Sequence, residues 1–133
     1  MKVSIAHEYH HSVWTEEYFD PEEPVTVLDN LIFEGKAVMF EKLVYPDYSY
    51  IPINRSHILT FWEMIEDDLY KADLERSLEI ITGAGNLPYL YGYSEGYKMV
   101  ESYLNKHPNL TPEEWLGISE DVIFEEGDYL SNY

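Results

Sequence analysis

The chain has 133 residues, 26 acidic against 8 basic side chains, a formal net charge of −18 and no cysteine. So negative a balance excludes direct binding of DNA or RNA, because phosphate contacts need Lys and Arg. A hydrophobic share of 45% with 16% aromatics excludes a disordered chain, no apolar run is long enough to span a bilayer, and no secretory signal pattern opens the sequence.

At this length a single domain over 1–133 is expected, and the lack of disulfides fits a cytoplasmic protein. The first predicted element is a helix from Met1 to about Trp14, and it carries His7-Glu8-Tyr9-His10-His11. Helix residues four apart share a face, so His7 and His11 can present two imidazoles to one ion, with Glu8 beside them. Zinc takes imidazole nitrogen in a tetrahedral shell. A neighbouring carboxylate can then remove a proton from a water whose pKa the metal has lowered, which is the physical content of His-Glu-x-x-His. The plainer alternative is a surface helix that happens to hold three histidines.

An acidic, proline-broken loop over 15–24 leads to a second helix, Val25 to Val44, with Val27, Leu28, Leu31, Ile32, Val38 and Met39 on its apolar face. Glu34 falls inside that stretch, where a carboxylate is costly unless paired or metal-bound. It is the candidate third ligand. Gly35 follows it and lets another backbone come close. The competing reading is an exposed helix-face glutamate, of which Glu41 is taken as an example. Two imidazoles and one carboxylate leave a fourth position for water, the pattern of a catalytic zinc.

Tyr45 to Asn54 reads as loop or short edge strand, because of its prolines. A third helix is expected from Ile58 to about Lys71, with Phe61, Trp62, Ile65 and Leu69 inward and an acidic face of Glu63, Glu66, Asp67 and Asp68 outward. His57 at its start is assigned a cap or loop role. Asp73 caps a short helix through Ile81, which Thr82–Asn86 breaks. Leu90 to Asn105 is a helix opening on the tyrosine-rich Tyr91-Gly92-Tyr93-Ser94-Glu95-Gly96-Tyr97, for which the plain reading is an aromatic packing cluster. His107 closes that helix in a structural role. Thr111-Pro112-Glu113-Glu114 carries a capping box, Ser119 to Glu126 forms one or two turns, and the tail Gly127–Tyr133 is expected to fray.

Taken together, AHEYHH, LDNLIFEGKA and Gly92-Tyr93-Ser94-Glu95-Gly96-Tyr97-Lys98-Met99-Val100 resemble the predicted zinc-dependent protease family typified by YjaZ, of the gluzincin class. The resemblance covers most of the chain. It implies a mainly α, gluzincin-like domain with little or no sheet, zinc on His7, His11 and Glu34, and Glu8 as general base. It also implies a tyrosine hydroxyl that stabilises the oxyanion, for which Tyr93 is the choice and Tyr91 and Tyr97 compete. Two positions depart from the family. Lys36 stands where leucine is usual, and Val38 and Met39 occupy the turn that often holds an acidic residue behind a ligand. Asp29 or backbone carbonyls are then the candidates to orient the histidines.

The expected activity is hydrolysis of a peptide or protein substrate. Larger gluzincins place a sheet before the motif helix, and only six residues precede His7. Two forms follow: a fragment, or a minimal domain whose cleft is completed by a second copy, with weak or no activity in this chain alone. The alternative function is a non-catalytic acidic protein that mimics nucleic acid or blocks a basic partner.

Overall fold

The computed structural model describes residues 24–47 and 51–133, and among them the chain is helical without strands, as the mainly α reading expects. Six helices are present: α1 (Val27–Val44), α2 (Leu59–Glu63), α3 (Leu74–Thr82), α4 (Tyr91–Lys106), α5 (Pro112–Leu116) and α6 (Glu120–Glu126). Short 3-10 turns follow α2 at Glu66–Asp68 and α6 at Tyr129–Asn132. None of these helices is long and apolar enough to cross a membrane.

α1 is the central element. Its first four N–H groups have no partner within the helix, and each finds one outside. Val27 N donates to Lys71 O at 2.9 Å and Leu28 N to Leu69 O at 2.8 Å. Asp29 N donates to Thr26 Oγ1 and Asn30 N to the Thr26 carbonyl, while Asp29 returns a bond to Thr26 N, closing a capping box. The apolar pattern promised one buried face, but burial runs around most of the circumference and takes in Lys36, Ala37 and Glu41. A helix covered around most of its circumference is the core of its domain rather than a flank.

α1 packs most extensively on α4, and glycine sets how close the two come. A Cβ on Gly35 would overlap the carbonyl group of Gly96 and lie 2.8 Å from the Tyr97 nitrogen. A Cβ on Gly96 would overlap the Leu31 carbonyl, and one on Gly92 would lie 2.8 Å from the Ile81 nitrogen and 2.9 Å from Leu31 Cδ2. Backbone therefore meets backbone at this crossing, as Gly35 led us to expect.

The expected helix over 58–71 is broken. α2 ends at Glu63, and a 3-10 turn covers Glu66–Asp68. An acidic run lies at the end of α2, where the helix dipole already presents negative charge. Arg76 relieves it, donating to Met64 O at 2.8 Å and to Asp68 Oδ2 at 2.9 Å. The break also turns the Leu69 and Lys71 carbonyls toward the start of α1. Trp62, Ile65 and Leu69 are buried as read.

Asp73 caps α3, Thr111 with Glu114 forms a capping box on α5, and Ser119 caps α6, all at the positions the sequence marks. The tail does not fray. Tyr129 is fully buried, and the Tyr133 ring stacks on Trp62 at 4.8 Å between centroids and 7° between planes. Two aromatic side chains with partners hold a segment whose composition read as loose.

Gly96→Ala is expected to destabilise the fold by about 3 kcal/mol, because the added methyl meets backbone that cannot move without parting two helices. Leu78→Ala, on the exposed side of α3, should change stability by less than about 0.5 kcal/mol. Urea unfolding of the two variants measures the difference.

Candidate active site

Glu34 and Tyr93 both belong to the α1–α4 crossing. Glu34 immediately precedes Gly35, and Tyr93 lies three residues before Gly96, so the carboxylate-bearing and tyrosine-bearing turns are neighbours across the contact. Both side chains are half-buried. Glu41, read as the exposed member of the helix, is only 3% exposed, so the contrast drawn from sequence is reversed. Periodicity assigned Glu41 to a solvent face that an enclosed helix does not have. His7, Glu8 and His11 lie outside the described residues.

Among the described residues no three His, Asp or Glu side chains converge as a metal cage would require. A carboxylate joined to two imidazoles is chemically a zinc set, with one position left for water. The half-buried setting of Glu34 on a rigid central helix suits that use.

The three tyrosines separate by environment. Tyr91 is 4% exposed, and its hydroxyl is buried beside that of Tyr133. Burial, reinforced by the charge of Glu95, raises its pKa. Its ring meets Phe61 edge-on, which is a packing role. Tyr97 is also buried, with Lys42 Nζ and the Arg55 guanidinium each 5.6 Å from its ring centroid. Arg55 in turn pairs with Glu101. Tyr93 is the more accessible of the three.

Two buried ionic groups flank the crossing, and the sequence reading missed both. On α1, Lys36 Nζ donates to Leu116 O at 3.1 Å and Ile118 O at 2.7 Å and lies 3.5 Å from Glu120 Oε1. Burial lowers the Lys36 pKa, and Glu120 opposes the change. The lysine that departs from the family pattern therefore ties α1 to the α5–α6 junction. On α4, Glu95 and Lys98 pair at 3.0 Å, and Lys98 also donates to Ser56 O at 2.7 Å. Glu95 accepts from the hydroxyls of Tyr129 and Tyr133. The signal was present, since Glu95 and Lys98 stand at helix-neighbour spacing inside the tyrosine motif, but their partners arrive from segments 42 and 34 residues away in sequence.

His57 borders this second group. Its ring lies edge-on to Tyr129 at 5.7 Å and to Tyr133 at 5.5 Å. Partial desolvation of this exposed ring lowers its pKa, Lys98 adds to the effect, and Glu95 works against it. The unfolded chain therefore binds a proton first as pH falls. The stability tied to neutral His57 is complete above the ordinary histidine value of about 6.5 and is lost as pH drops toward the folded-state value. Urea midpoints measured from pH 7.5 to about 5 should fall more steeply in the wild type than in His57→Gln.

No curated protein and no solved structure matches the chain. The family model described as Predicted Zn-dependent protease (DUF2268) matches residues 1–125, a span that takes in His7, Glu8, His11, Glu34 and the tyrosine motif of α4. With all but the last eight of its 133 residues inside that match, the chain belongs to this family of predicted zinc-dependent proteases.

Proposed function

We propose that the protein is a zinc-dependent peptidase in which His7, His11 and Glu34 hold the metal, Glu8 is the general base and Tyr93 is the oxyanion donor. The observation that carries this reading is a single crossing. At Gly35 and Gly96 the α1 turn that bears Glu34 meets the α4 turn that bears Tyr93. The family match spans both turns and the His-Glu-x-x-His stretch.

Zinc bound there supplies Lewis acidity, lowering the pKa of water and polarising the scissile carbonyl. Glu8 takes the proton of the attacking water and returns it to the leaving amine. The Tyr93 hydroxyl donates to the oxygen that gains charge as the carbonyl becomes tetrahedral, where one well-placed donor contributes about 3–4 kcal/mol. Tyr91 is too enclosed to serve, and Tyr97 is engaged beneath two cations.

The test combines elemental analysis with cleavage of quenched-fluorescent peptides. The purified chain should carry one zinc per molecule and lose activity to a chelator. Zinc at a hundred times its Kd should stabilise the fold by about 2.7 kcal/mol. Glu8→Gln should keep the metal and lower kcat by about a hundredfold or more, and Tyr93→Phe should lower it by about a hundredfold. Cleavage indifferent to chelator, or full zinc content in a His7→Ala, His11→Ala double variant, overturns the assignment.

A further inference from the structure

The tyrosine-bearing start of α4 lacks the usual device for fixing a helix end. Its cap residue, Leu90, adopts a left-handed conformation with φ 56° and offers no side-chain bond to the first turn. What holds this turn is its flanks. Gly92 and Gly96 press on α3 and α1. Ser94 Oγ donates to Pro52 O at 3.0 Å and accepts from Asn54 N at 3.1 Å. A further grip is Glu95, only 1% exposed. Its two carboxylate oxygens receive the Lys98 ammonium, the Tyr129 hydroxyl and the Tyr133 hydroxyl.

We propose that Glu95 is the positioning residue for Tyr93, and that the chain's own last turn, through Tyr129 and Tyr133, completes the grip. This inference rests on the peptidase reading for what Tyr93 does, but not for where it is held. A carboxylate only accepts hydrogen bonds, so it alone can take three donors at once. An amide of the same shape turns a donor toward a donor. Tyr129 and Tyr133 stand beyond residue 125, where the family match ends, so these two partners are supplied by sequence outside the shared region. Glu95 lies two residues from Tyr93 on the same turn, and the two side chains leave the helix about 200° apart. Any rotation that Glu95 permits is therefore passed directly to the Tyr93 hydroxyl. A misplacement of about 1 Å at a reacting centre is enough to cost about a hundredfold in rate.

The experiment uses the zinc-loaded full chain and a quenched-fluorescent peptide library. It compares wild type, Glu95→Gln, Tyr133→Phe, Tyr93→Phe and the Glu95→Gln, Tyr93→Phe double variant. A 3-fluorotyrosine at position 93 supplies a fluorine resonance as a second readout. Glu95→Gln and Tyr133→Phe should each lower kcat by about tenfold or more with KM within twofold, and should shift or broaden the fluorine resonance. Glu95→Gln should cost nothing further in the Tyr93→Phe background, because its effect passes through that hydroxyl. Tyr133→Phe removes one half-buried hydroxyl and keeps the ring, so it reports even where Glu95→Gln fails to fold. An unchanged fluorine resonance in a folded variant, or a full additional loss in the double variant, overturns the proposal. If no protein in the set cleaves peptide, the peptidase reading falls, and the fluorine signal alone still decides whether Glu95 places Tyr93.

Discussion

The contact of Gly35 with Gly96 fixes the geometry of everything around it. Helices that meet through side chains keep axes 8–10 Å apart, and removing both side chains lets the backbones touch. Two consequences follow from the same contact. The residues beside the glycines, Glu34 on one helix and Tyr93 and Glu95 on the other, are drawn into one neighbourhood. The crossing also resists sliding, since the backbone of each helix fills the gap left by the other's missing Cβ. A carboxylate ligand and an oxyanion donor both need placement to a fraction of an ångström, and helices locked at backbone distance provide it better than loops could.

The charge of the protein makes its interior harder to explain than its surface. Against 26 acidic residues the chain has 8 cations, and two of them, Lys36 and Lys98, are buried. Taking an ammonium out of water is costly unless its hydrogens find acceptors. Each lysine does so with a carboxylate and main-chain carbonyls: Lys36 with Glu120, Leu116 and Ile118, and Lys98 with Glu95 and Ser56. Buried ion pairs contribute little net stability but specify which partner goes where. Here Lys36 joins α1 to the α5–α6 junction, and Lys98 joins α4 to the segment before α2.

What could be read from the residues alone was the local grammar. Asp73 and Thr111 stand where helices begin, because a side-chain oxygen satisfying a first-turn N–H is a property of a few consecutive residues, whereas the helix read from Val25 begins at Val27 behind a Thr26 cap. Gly35 was legible as a place of close approach for the same reason. Features set by distant partners were not. The helix expected over 58–71 breaks because Arg76 and the start of α1 claim its end. The tail is ordered because Glu95, Trp62 and His57 await its tyrosines. Glu41 is buried because most of the circumference of α1 is covered, and a sequence pattern reports which face is apolar without reporting how many faces are covered. For the candidate site, Glu34 and Tyr93 were legible as motif members, whereas Glu95 and Lys98 were visible only as an ordinary helix-spaced pair.

The three tyrosines of α4 illustrate why a motif and its chemistry are separate questions. Side chains at 91, 93 and 97 leave the helix in different directions, since successive residues turn by about 100°. One direction leads to the interior, where Tyr91 is enclosed near Phe61. Another leads beneath Lys42 and Arg55, where the Tyr97 ring faces two cations and its hydroxyl meets Arg55 and Glu101. An oxyanion donor needs a hydroxyl that substrate can approach and a backbone that does not move when it does. Tyr93 meets the first condition by its partial exposure. It meets the second because both of its helical neighbours in the motif, Gly92 and Ser94, are tied to other segments. The repeated glycine and tyrosine of this stretch thus divide the labour: the glycines set where the helix lies, two of the rings are buried against its neighbours, and the third is half-buried.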